Sequence, residues 1–277
     1  LVEPIRFDIG AELMTSIKNY TKEWNELVEY CRDKINSSEL LKDNVLISYN
    51  FCHHIEYLIE LENHDNYFGR INGTGVTYKD RQDLLFVDDM TEANRKLLGE
   101  FIMSLDTFTI SQYMPMDIFE SSDLKDIDNI KTTPEDVRDA LLTHEQNFLQ
   151  KILIGKLGIE PDKIPPLHIG EYGMGIKGMQ APNVWDRTAW TDEELATYEV
   201  QQKHAEIALK GLMLYMQDER SVAKSLALWI SGAPYDVINF YPGMNIGDAG
   251  HGYPGQAAYN ENAALVLKNY WHGIFNG

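Results

Sequence analysis

Residues 132–156 constrain the fold most, because they carry a helix start and then a long apolar arc. Thr133, Pro134, Glu135 and Asp136 supply an N-cap hydroxyl, a proline at the first helical position and the acidic residues of a capping box. At about 100° per residue, Val137, Leu141, Leu142, Phe148, Leu149, Ile152 and Leu153 fall on one broad face, and Glu145 projects from near its centre. Burial disfavours the charged form of a carboxyl group. A glutamate there is therefore either paired inside the fold or kept protonated to serve as a general acid.

With 277 residues, 44% of them hydrophobic, the chain can build one large domain or two modest ones. Its net charge of −19 excludes a general electrostatic attraction to nucleic acid or anionic lipid. Cys31 and Cys52 are too few for a disulfide framework and have no metal-type spacing, which leaves a single disulfide open. No apolar run reaches the roughly 18–20 residues of a membrane span. Leu1-Val2-Glu3-Pro4 has neither the basic nor the apolar region of a signal peptide, and both ends of the chain read as cuts from something longer.

A helical period runs through residues 11–35, 39–62 and 91–106, with a hairpin turn at Asn72-Gly73-Thr74-Gly75. Residues 121–134 are polar and acidic, which places a division near residue 130 between a mostly helical N-terminal domain, 1–130, and a second domain, 131–277. His53, His54, Glu56, Glu60, Glu62 and His64 have the composition of a zinc site. The two adjacent histidines point in different directions on a helix, so these read as helix residues, and no metal or cofactor is expected. Further on, Gly170-Glu171-Tyr172-Gly173-Met174-Gly175-Ile176-Lys177-Gly178-Met179-Gln180 reads as a glycine loop that lets backbone approach a ligand or another chain. It lacks the Gly-Lys-Ser/Thr ending and the preceding strand of a phosphate loop. Helical patterns return at 192–217, 221–231 and 256–272, and no set of alternating strands stands out. The expected fold class is mainly α.

Four motifs in order resemble the catalytic domain of soluble lytic transglycosylases and goose-type lysozymes, over about residues 134–272. Leu141-Leu142-Thr143-His144-Glu145-Gln146-Asn147-Phe148 is similar to the helix end that bears the family's catalytic glutamate. Gly175-Ile176-Lys177-Gly178-Met179-Gln180 resembles its Gly-Leu-Met-Gln loop, and Ala208-Leu209-Lys210-Gly211-Leu212 the helix reading Gly-Ala-x-Tyr-Leu. Leu226-Ala227-Leu228-Trp229-Ile230-Ser231-Gly232-Ala233-Pro234 resembles the Ala-Tyr-Asn-Ala-Gly-Pro segment, and residues 259–270 the closing helix. Gln146 stands where the family has serine, Ile230-Ser231 where it has Tyr-Asn, and an insertion separates Glu145 from the glycine loop.

The resemblance implies a lysozyme-like α-helical domain that cleaves the MurNAc-GlcNAc β-1,4 bond of peptidoglycan at the bacterial cell wall, in the periplasm or outside the cell. Glu145 would be the general acid and base, with lytic transglycosylase ahead of muramidase. Glu171 is the second carboxylate that a hydrolase needs, with Asp186 a weaker choice. Met179, Gln180, Ser231, Tyr259 and Tyr270 would line the substrate cleft. The N-terminal domain would join other proteins of a phage virion or secretion machine. The competing reading is an inactive structural or glycan-binding virion protein.

Overall fold

Three short stretches alternate apolar and polar side chains with the period of a β-strand. In them Ile47, Tyr49 and Phe51 interleave with Ser48 and Asn50; Phe108 and Ile110 flank Thr109; Leu167 and Ile169 flank His168. All three are strands in the computed structural model, which describes residues 4–11, 13–51, 90–114, 126–174, 198–228 and 261–273. Five strands form one sheet: β1 (Ile5–Ala11), β2 (Val45–Phe51), β3 (Phe108–Met114), β4 (Leu167–Met174) and β5 (Leu226–Leu228). They are hydrogen-bonded in sequence order, and every pair is parallel. The helices are α1 (Met14–Asn19), α2 (Thr21–Asn36), α3 (Glu92–Ser104), α4 (Pro134–Asn147), α5 (Tyr198–Gln217) and α6 (Glu261–Trp271).

This sheet overturns the expectation of a mainly α, all-helical fold and of a lysozyme-like α-helical domain; the fold is mixed α/β. β2 lies inside the window 39–62 read as helix, β5 inside 221–231, and β4 covers the first part of the glycine loop. Aliphatic residues spaced for a strand can also satisfy a helical period over one or two turns, so short windows mislead. The sheet also runs across residue 130, since β3 and β4 pair along their length.

The apolar residues of the strands meet the helices in two clusters. Ile47, Tyr49, Phe51, Phe108, Ile110 and Leu167 pack with α2, α3 and the segment after α4, while Ile169 and Tyr172 pack with α4, α5 and α6. The opposite face carries Ser48, Asn50, Thr109, His168 and Gly170, and it is concave. Strands two and three places apart in a flat sheet are about 10 and about 14 Å apart. Yet Asn50 on β2 reaches Gly170 on β4, and the charges of Arg6 and Asp8 on β1 act on His168 of β4. Parallel strands in sequence order, curled with helices on the convex side, have the topology of a (β/α)-barrel wall.

The α4 region follows its sequence closely. The Thr133 N–H donates to the Asp136 carboxylate at 2.8 Å and the Asp136 N–H to Thr133 Oγ1 at 3.2 Å, which closes the capping box. Val137, Leu141, Leu142, Phe148, Leu149, Ile152 and Leu153 are all buried. The helix widens to a π-turn over Phe148–Lys156 and stops at Gly158, whose φ of 68° suits glycine.

Candidate active site at the carboxyl edge of the sheet

Connections entering the strands are short: 37–44, 105–107, 157–166 and 218–225. Those leaving the carboxyl ends of β2 to β5 are long, covering 52–91, 115–133, 175–197 and 229–260. In this topology the residues that act on ligands stand at the carboxyl ends of strands, whereas the opposite edge serves stability. Carboxylates belonging to that edge are the first candidates.

Glu171 belongs to it. In the carboxyl half of β4 it pairs in register with Ser111 of β3, and Tyr172 pairs with Gln112. Just before it the register slips: Ile110 pairs with Ile169 and Ser111 with Glu171, which leaves Gly170 as an extra residue. Glu12 is the second candidate, and the reading of 11–35 as one helix concealed it. It lies outside the described residues, between Ala11 and Leu13 in the sequence. Ala11 ends β1 opposite Asn50, and the Leu13 N–H donates to the Tyr49 hydroxyl at 2.9 Å. The sequence signal was a glutamate directly following a seven-residue strand.

Glu145 is elsewhere. It is 3% exposed on the helical side, where its carboxylate accepts hydrogen bonds from the Tyr215 hydroxyl at 2.6 Å and Ser221 Oγ at 3.0 Å. The Val222 and Ala223 N–H groups donate to it at 3.1 and 3.3 Å. Residues 221–223 lead into the amino end of β5, so Glu145 ties α4 and α5 to a connection at the edge of the sheet opposite Glu171. The same connection is pinned a second time. Arg220 binds Asp218 at 2.8 Å and reaches Asp139 of α4 at 3.3 Å. Hydrogen bonds from Arg220 hold the Asp218 carboxyl down at about 2, and Arg138, then Arg220, lower that of Asp139. The burial expected from the sequence is present at Glu145, but its oxygens are occupied by four donors and it is not brought near Glu171.

The concave face continues toward the amino edge as a polar layer. His168 Nδ1 lies 2.6 Å from Ser225 Oγ, and Arg6 pairs with Asp8 at 3.9 Å. Burial lowers the His168 pKa, the positive charges of Arg6 and Lys224 lower it further, and Asp8 opposes them. The hydroxyl of Ser48 is buried with no hydrogen-bond partner among the described residues.

Tyr270 sits on α6, partly buried against the α4–α5 core. It lines a cleft of about 710 Å³ with Met213, Lys224, Leu267 and Trp271, on the helical side at β5 and away from Glu171. Met179, Gln180, Asp186, Ser231 and Tyr259 lie outside the described residues, as do His53, His54, Glu56, Glu60, Glu62 and His64. Among the described residues no group of three or more His, Cys, Asp or Glu could hold a metal ion, and no helix is long and apolar enough to cross a membrane. Cys31 is a free thiol.

Compared with known proteins, the chain matches no family model, no curated protein and no solved structure.

Proposed function

We propose that this chain is a glycoside-cleaving enzyme working at the carboxyl edge of its sheet, with Glu171 and Glu12 as the two reacting carboxylates. The observation that carries this reading is the register of Glu171, in the carboxyl half of a parallel strand and directly after a bulge. Bulges are enriched beside active sites because they re-aim a side chain. Glu12 follows Ala11, the last residue of β1, in the sequence. Two carboxylates suit the chemistry of glycoside cleavage. One protonates the leaving oxygen, and the other attacks the anomeric carbon or directs water to it.

The sequences leaving β4 and β5 support a sugar ligand. They hold Trp185, Trp190 and Trp229, three of the five tryptophans, whose negative ring faces suit the C–H edges of pyranose rings. A pair of carboxylates fits hydrolysis better than anhydro-ring formation, which needs a single acid. Peptidoglycan stays among the substrates to assay, now on motif resemblance alone because the fold half of that resemblance is gone.

The test is hydrolysis of a panel of 4-nitrophenyl β-glycosides and β-linked polysaccharides, insoluble peptidoglycan included. The wild type should release product from at least one of them. Glu171→Gln and Glu12→Gln should each lower kcat by about 10²–10⁴-fold. Full activity in Glu171→Gln would remove the reading.

A further inference from the structure

Glu171 follows the point where the β3–β4 register shifts, and the residue absorbing the shift is Gly170. Its surroundings explain why glycine stands there. A Cβ at position 170 would lie 2.9 Å from Thr109 Cβ, 3.0 Å from Thr109 Oγ1 and 3.1 Å from Asn50 Oδ1, so even alanine does not fit unless a neighbour moves. Thr109 cannot retreat: it is fully buried on a central strand, and its hydroxyl donates to the Tyr49 carbonyl at 3.3 Å. Asn50 comes from β2, two strands away, and spans Thr109 to reach the bulge. Backbone, a threonine and an amide from three adjacent strands therefore meet beneath the residue preceding Glu171.

We propose that Asn50 and Thr109 seat the Gly170 bulge and so fix the stretch of backbone that carries Glu171: they are positioning residues for the reacting carboxylate. This inference rests on the reading of Glu171 as that carboxylate. A bulge is one extra residue, and its conformation decides where the next side chain is aimed. Without a fixed floor the strand could relax toward regular pairing and withdraw Glu171 from the bond it acts on. A displacement of about 1 Å in a reacting group costs on the order of a hundredfold in rate.

The experiment measures kcat, KM and the pH profile on whichever 4-nitrophenyl β-glycoside the wild type hydrolyses, for Gly170→Ala, Asn50→Ala and the double variant, with Glu171→Gln as reference. Each single variant should lower kcat by roughly ten- to a hundredfold, with KM within about twofold. Each should also displace the limb of the kcat/KM profile that Glu171→Gln abolishes. The double variant should lose no more than the worse single, because both act through one bulge. If Gly170→Ala fails to fold, Asn50→Ala alone decides. Unchanged kcat and pH limb in Asn50→Ala, with Glu171→Gln inactive, overturn the positioning role and leave the reading of Glu171 standing. Full activity in Glu171→Gln, or no hydrolysis of any glycoside by the wild type, overturns both.

Discussion

At the scale of one residue, Glu145 is a buried carboxylate held by four donors. Its carboxylate is enclosed by two hydroxyls and two backbone N–H groups, all donating. Truncation would leave those donors without an acceptor in a dry interior, and that penalty exceeds the value of any one bond. Glu145→Ala should lower stability by about 3 kcal/mol, seen as a drop of roughly 5–10 °C in Tm. Glu145→Gln, which keeps one acceptor oxygen, should cost a fraction of that and leave the rate of glycoside hydrolysis unchanged. His168 makes a separate prediction. Its native pKa lies below the ordinary 6.5, so between the two values the unfolded chain binds more protons and stability rises with pH. Tm should therefore fall as pH drops through about 6.5 and level off below the native pKa. His168→Asn should flatten that part of a Tm-against-pH series, and an unaltered slope would assign the dependence to other groups.

At the scale of elements, α4 and α5 approach so closely that Gly211 has no room for a side chain, its neighbours being Val137 and the Pro134 carbonyl. Alanine is the better helix former by about 1 kcal/mol. Forcing the helices apart costs about 1–3 kcal/mol. Gly211→Ala should thus destabilise on balance, read as a lower denaturant midpoint, and a higher midpoint would show that the helices yield. This helix pair was legible in the sequence because α4 is long, capped and carries a broad apolar face, and every residue assigned to that face is buried. The strands were not legible: Val45 to Phe51 and Leu167 to Ile169 alternate, but over seven or eight residues the apolar positions also suit a helical period or a loop. Gly170 and Gly173, which read as loop glycines, stand in β4, where the first of them makes a bulge. The buried position of Glu145 could be read from its helical phase. Its four donors could not, since they come from residues 70 or more positions away.

For the whole molecule, the order of the strands carries the functional argument. Sequential parallel pairing puts the long connections leaving β2 to β5 at one edge and the short ones entering β2 to β5 at the other, so Glu145 and Glu171 belong to opposite ends of the sheet. A lysozyme-like helical domain would have made Glu145 the acid; the function proposed above gives that work to the carboxyl edge. The motif order resembling transglycosylases requires a loop and a helix where the chain forms β4 and β5. The most direct measurement compares product release from the glycoside and polysaccharide panel by the wild type, Glu145→Gln and Glu171→Gln, each checked for Tm. The wild type and Glu145→Gln should release product, and Glu171→Gln should lose about 10²–10⁴-fold. An active Glu171→Gln, or a folded Glu145→Gln that releases nothing, would contradict the proposed function.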